Sequence, residues 1–99
     1  MSKTQLHESF ASLLEELAAL EHQRWAHWQK YVHEKGRRQP DGSLVLPADL
    51  VSRWERQFNT FYADLTDEEK NSDRDQVKKY LPILERWLSQ ACKESDGDV

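Results

Sequence analysis

Between Leu6 and His33 the apolar residues fall at Phe10, Leu13, Leu14, Leu17, Leu20, Trp28, Tyr31 and Val32. Steps of three and four are the helical period, and neither Gly nor Pro interrupts them. A long first helix is therefore expected over about 6–33. At 100° per residue, Glu21 and Arg24 lie on this stripe and are placed to pair as an i, i+3 couple. His22, Trp25 and Gln29 share one flank of it. The stretch Leu20 to Tyr31 is the densest part of the chain in groups that both stack and hydrogen-bond.

Gly36 suits a left-handed cap at the end of this helix. Pro40-Asp41-Gly42 is a turn signal, because Pro sets φ and Gly accepts positive φ. Ser43 to Leu46 reads as an extended segment or a short strand. Pro47 is placed for the first turn of a second helix over about 47–61, with Leu50, Val51, Trp54, Phe58 and Phe61 as its stripe and Arg53 and Arg56 off it. Thr66-Asp67-Glu68-Glu69 is a capping box, and its carboxylates complement the positive end of a helix dipole. Ser72-Asp73 offers a second cap six residues later. These two signals predict a short helical turn near 67–71 and a third long helix over about 73–93. The stripe of that helix is Val77, Tyr80, Leu81, Leu84, Trp87, Leu88 and Ala91. Pro82 lies inside the pattern and should kink or break it.

The expected fold is all-α: a small bundle of three main helices plus a short helical turn. Residues 1–5 read as a flexible N-terminus, 6–93 as a single helical domain, and 94–99 as a disordered acidic tail. Trp28, Trp54 and Trp87 sit on the stripes and are expected in the core, whereas Trp25 stands on the flank. An apolar remainder on so aromatic a set of helices points to a homodimer or higher oligomer.

Composition narrows the function classes. The 99 residues are 37% hydrophobic and 32% charged, a polar surface around a thin core in which ten aromatic side chains supply bulk. Net charge is −4, which argues against binding duplex nucleic acid while leaving room for a local basic site. The single cysteine, Cys92, cannot form an internal disulfide. Neither a signal peptide nor a run of roughly 20 apolar residues is present, so no membrane association and a cytoplasmic location are expected. The spacings of His22, His27 and His33 are not the i, i+4 of a helical zinc pair, and no metal or resident cofactor is expected. No Ser or Cys stands beside a base in a recognisable motif. Lys35, Arg37 and Arg38 form a basic loop, read as solvated, with phosphate contact the sharper alternative.

Two stretches together resemble the ryanodine-receptor repeat, or RyR domain. The first is Glu21-His22-Gln23-Arg24-Trp25, against the family's H-E-x-W helix. The second runs from Phe61 to Arg74 and carries Tyr62, Leu65, Lys70, Asp73 and Arg74 at the spacing of the family's P-Y-x-x-L-x-x-x-x-K-x-x-D-R segment. The resemblance covers about residues 20–33 and 61–84. Gln29 stands where the family commonly has a basic residue, the G-W-x-Y-G stretch is absent, and a helix over Leu46–Thr60 replaces H-P-x-L. The layout also resembles small proteins of bacteriophages.

The resemblance implies a helical module that binds rather than catalyses, with a nucleotide-derived ligand. Trp25 would supply a stacking face, and His22 or Gln29 edge hydrogen bonds. Arg24, Lys70 and Arg74 would face phosphates, and Tyr62 belongs to the same set. Asp73 and Arg74 are equally suited to tying a loop to a neighbouring helix. The concrete form is a phage anti-defence protein, in the cytoplasm of a host bacterium, that sequesters a cyclic oligonucleotide or a cyclised ADP-ribose. The alternative is an interaction module for a host protein, using exposed aromatic anchors. Nucleotide hydrolysis through His22, with Glu21 or Asp73 nearby, ranks last.

Overall fold

The computed structural model describes the chain from Ser2 to Gly97, with only the backbone described for 94–97. The elements run in the order α1 (Lys3–Lys35), β1 (Arg37–Arg38), β2 (Leu44–Val45), α2 (Ala48–Phe58), a 3-10 turn (Tyr62–Asp64), α3 (Asp67–Lys78) and α4 (Leu81–Gly97). The fold is mostly helical, as the apolar periodicity requires. The first helix starts earlier than its stripe. Ser2 Oγ accepts from the Gln5 N–H at 3.1 Å and Gln5 Oε1 from the Ser2 N–H at 2.8 Å, a reciprocal cap in the segment read as a flexible N-terminus.

Several boundaries differ from the sequence reading. Gly36 is not a left-handed cap: Gly42, at φ 92°, is the positive-φ glycine of the described chain. Gly36 is instead a close-approach position, where a Cβ would lie 3.2 Å from Leu44 Cβ. The second helix stops at Phe58, where Asn59 turns to φ −91°, ψ 2° and Thr60 Oγ1 donates back to the Arg56 carbonyl at 2.5 Å. Phe61 thus leaves the helical stripe. Ser72-Asp73 does not start a helix, because the Thr66 box has already begun α3. That helix ends at Lys78, and the next begins one residue before Pro82. A proline in a continuous helix would clash with the carbonyl four residues back, here that of Lys78. The last turn tightens instead, with Tyr80 N–H donating to the Val77 carbonyl at 2.9 Å. Backbone helix continues to Gly97, so the acidic residues 94–97 are helical in backbone, while 98 and 99 lie outside the described residues.

The chain divides into two compact units, one running up to Arg24 and resuming at Arg74, the other Trp25–Asp73. In the first, α1 and α4 run antiparallel. Phe10 stacks on Trp87 with ring centroids 5.0 Å apart, Glu16 pairs with Arg86 at 2.7 Å, and the Tyr80 hydroxyl donates to Glu21. Partners that advance on α1 retreat along α4 and to the residue just before it.

In the second, Trp28 lies 5.5 Å from both Trp54 and Tyr31. The basic loop is a β-ladder, with Arg37 opposite Val45 and Arg38 opposite Leu44. Its turn is the expected Pro40-Asp41-Gly42. The Asp41 carboxylate accepts from the Ser43 hydroxyl at 2.6 Å and from its N–H at 3.0 Å, which holds Asp41 below the ordinary carboxylate range.

Among the described residues none is fully buried. Trp54 and Trp87 are half-buried, and Trp28 is exposed despite its aromatic neighbours. The tryptophans expected to form an enclosed core form aromatic clusters instead, with Trp87 stacked on Phe10, Trp28 stacked on Tyr31 and Trp54 edge-on to Trp28.

Candidate functional site

His22, Trp25 and Gln29 follow one another at three and four residues along α1, so they share one face of that helix. Trp25 is 56% exposed. Arg24, on the adjoining face, is held by Glu21 in a fork. Its Nε donates to Glu21 Oε2 at 3.1 Å and its Nη2 to Glu21 Oε1 at 2.6 Å. This is the i, i+3 couple the spacing anticipated. The Tyr80 hydroxyl donates to the same Glu21 Oε2. Arg24 foremost, then Tyr80, hold the Glu21 carboxyl below its usual range. The Glu21 carboxylate in turn raises Arg24 and raises the Tyr80 phenol. Two of the Arg24 donor nitrogens are thus already engaged by a counter-charge. This weakens Arg24 as a phosphate ligand relative to an unpaired cation.

The second segment opens on Tyr62, the first residue of the 3-10 turn. Its ring is close to the Lys70 ammonium, 5.9 Å from Nζ to the ring centroid. Lys70 lies in the first turn of α3, because the capping box sets where that helix begins. The Glu69 N–H donates to Thr66 Oγ1 at 3.2 Å, and Glu69 Oε1 accepts from the Thr66 N–H at 3.3 Å and from its hydroxyl at 2.8 Å. The other Glu69 oxygen accepts from Arg56 Nη2 at 2.9 Å. Arg56 first, then Thr66 and Gln57, hold the Glu69 carboxyl at about 2. Glu69, with its side chain 13% exposed, is a structural carboxylate that joins α2 to the start of α3. Arg74 follows Lys70 by one turn on α3, on the same face, and Asp73 stands beside it.

The structure brings Tyr62 and Lys70 together and aligns His22, Trp25 and Gln29. It commits Arg24 to Glu21. By unit, His22, Arg24 and Arg74 belong to the first and Trp25, Gln29, Tyr62 and Lys70 to the second. Sequence reasoning missed Tyr80 as a partner of Glu21, having placed it on the apolar stripe. It also missed Arg56, an off-stripe arginine 13 residues from Glu69. Neither pairing has a local sequence signal. Among the described residues, no three His, Cys, Asp or Glu side chains gather into a metal-binding group.

No protein-family model matches the chain, and neither a curated protein nor a solved structure matches it. What stands is a small, mostly helical protein in which no helix of the described residues is long and apolar enough to cross a membrane.

Proposed function

We propose that this chain is a non-enzymatic binding protein for a nucleotide-derived small molecule, with the RyR-like segments as its recognition elements. The observation that carries the reading is the Lys70 ammonium over the Tyr62 ring, inside the segment whose spacing resembles the RyR motif. An aromatic face beside a cation is the pairing that a base and its phosphate need. The exposed Trp25 indole supports it as a second stacking surface, with His22 and Gln29 on the same helix face for the base edge. Lys70 and Arg74 supply phosphate donors, and Arg24 plays a lesser part because of Glu21. The narrower form is a phage anti-defence protein, working as a homo-oligomer in the host cytoplasm, that sequesters an immune signal of the cyclic oligonucleotide or cyclic ADP-ribose type.

A thermal-shift screen tests it, using cyclic dinucleotides, cyclic trinucleotides, ADP-ribose, its cyclised forms and ATP. Ligand at a hundred times its dissociation constant adds about 2.7 kcal/mol. That corresponds to a rise of about ten degrees or more for a domain this size. The shift should be confined to one ligand class and be lost in a folded Trp25→Ala variant. A flat screen at high micromolar ligand would sink the reading.

One observation favours a second reading. Phe58 and Phe61 are 75% and 82% exposed at the end of α2 and just beyond it, where they would serve as anchors for a host protein. Capture of a single host protein that is lost in Phe61→Ser and unaffected by Trp25→Ala would favour this reading over the first.

A further inference from the structure

The tip of the hairpin carries Asp41-Gly42, a pair open to backbone rearrangement because glycine sets no side chain beside the attacking nitrogen. In that rearrangement the Gly42 backbone nitrogen attacks the Asp41 Cγ. A C–N bond forms, the Cγ–OH bond breaks, the amide proton leaves, and water departs. The cyclic imide then takes water back. When water attacks the main-chain carbonyl carbon of Asp41, the bond from that carbon to the Gly42 nitrogen breaks. The chain is left running through the Asp41 side chain as an isoaspartyl link. Mass is unchanged, and water is the only co-reactant.

Packing does not shield the tip. Asp41, Gly42 and Ser43 are all exposed, and a Cβ at Gly42 would meet no atom within 4 Å. What opposes the reaction is hydrogen bonding at both reacting groups. Asp41 Oδ1 accepts from the Ser43 hydroxyl at 2.6 Å and from the Ser43 N–H at 3.0 Å. These donors favour the carboxylate, which lacks the hydroxyl that must leave. The Ser43 hydroxyl first, then the N–H, keep the Asp41 carboxyl below its ordinary range. The Gly42 N–H donates to the Gln39 carbonyl at 3.0 Å, so the attacking nitrogen is engaged as well. On either side, the Gln39 N–H donates to the Ser43 carbonyl at 2.7 Å and Arg38 Nη1 to the Gly42 carbonyl at 3.0 Å. Ring closure requires the carboxyl and the nitrogen to leave their partners inside a turn held at both ends.

We infer that Asp41–Gly42 is a latent covalent modification site, at which Ser43 holds off conversion to an isoaspartyl link. Conversion adds a methylene to the main chain inside the turn that the Gln39–Ser43 pairing closes. It would therefore loosen the ladder that carries Arg37 and Arg38. This inference does not rest on the ligand reading.

The full chain, kept for weeks at neutral pH either folded or in guanidinium chloride, tests it. Peptide mapping with electron-transfer fragmentation measures isoaspartate at residue 41. In denaturant, the chain's other Asp-Gly pair, Asp96–Gly97, gives an internal reference rate. Conversion at Asp41 should be at least about fivefold slower in the folded chain, because a carboxylate and an amide must both give up hydrogen bonds before they react. Ser43→Ala removes the hydroxyl donor and should speed conversion in the folded chain about threefold or more. Ser43→Thr, which keeps the hydroxyl, should restore the slow rate, and thermal melts establish that each variant is folded. A smaller difference between folded and denatured wild type would overturn the inference without recourse to a variant. So would a folded Ser43→Ala chain that converts no faster than the wild type.

Discussion

Thr66 and Glu69 close the start of α3 reciprocally, and the contribution of that closure can be measured. Thr66→Ala removes the hydroxyl that accepts from the Glu69 N–H at 3.2 Å and donates to the Glu69 carboxylate at 2.8 Å. Loss of an N-cap hydroxyl costs about 1 kcal/mol. For a domain of this size that lowers the melting temperature by about 4–8 °C. Thr66→Ser, which keeps the hydroxyl, should recover most of the difference. Glu69 adds a pH signature. Its carboxyl is lowered from 4.5 to about 2 in the folded chain, so its stabilising effect is fully present above about pH 4.5. The effect is then lost as pH falls toward 2. Glu69→Gln keeps a box-competent side chain but gives up the charge that pairs with Arg56. The wild-type-minus-variant difference in melting temperature should therefore shrink between pH 4.5 and 2, and scanning calorimetry across that range reads it. Thr66→Ala melting within a degree of the wild type, or a difference that does not change with pH, would refute this reasoning.

Two further outcomes follow from single contacts. Gly36→Ala should lower the melting temperature by several degrees, because its Cβ would meet Leu44 Cβ at 3.2 Å, a point of the side chain that cannot swing away. If the variant melts with the wild type, Gly36 is not a close-approach position. Tyr80→Phe removes one of the three hydrogen bonds that Glu21 accepts, the other two coming from Arg24, so the Glu21 carboxyl should titrate at higher pH while Arg24 still holds it below its usual range. Carbon-detected NMR titration reads this directly, and an unchanged titration would mean the phenol does not bond Glu21 in solution.

What was legible in the sequence were features carried by neighbours along the chain. The three-and-four spacing from Phe10 to Val32 announced α1, Pro40-Asp41-Gly42 announced the hairpin turn, and Thr66-x-x-Glu69 announced the start of α3. The Glu21–Arg24 pair was legible for the same reason. Features that depend on distant partners were not. The role of Gly36 depends on Leu44, across the hairpin. Arg56 reaches Glu69 from another helix, and Tyr80 meets Glu21 across 59 residues. The competition between the Ser72 cap and a helix already under way was settled by the stronger upstream box. The proline break was anticipated, but its place at Lys79–Tyr80 depended on which carbonyl the ring would strike. Apolar stripes announced faces that need covering, and periodicity does not say whether the cover comes from the same chain. Of the candidate site, the His22–Trp25–Gln29 face follows from helical spacing alone, whereas the approach of Lys70 to Tyr62 required the 3-10 turn that Tyr62 opens.

The most direct test of ligand binding without turnover is equilibrium dialysis of the purified protein against cyclic di- and trinucleotides, ADP-ribose and its cyclised forms, and ATP, with each compound recovered and identified by mass spectrometry. One ligand class should be retained in a fixed ratio to protein and recovered chemically intact, with retention lost in a folded Trp25→Ala variant. No retention of any compound at high micromolar concentration, or recovery of a cleaved product that disappears in His22→Ala, would contradict it.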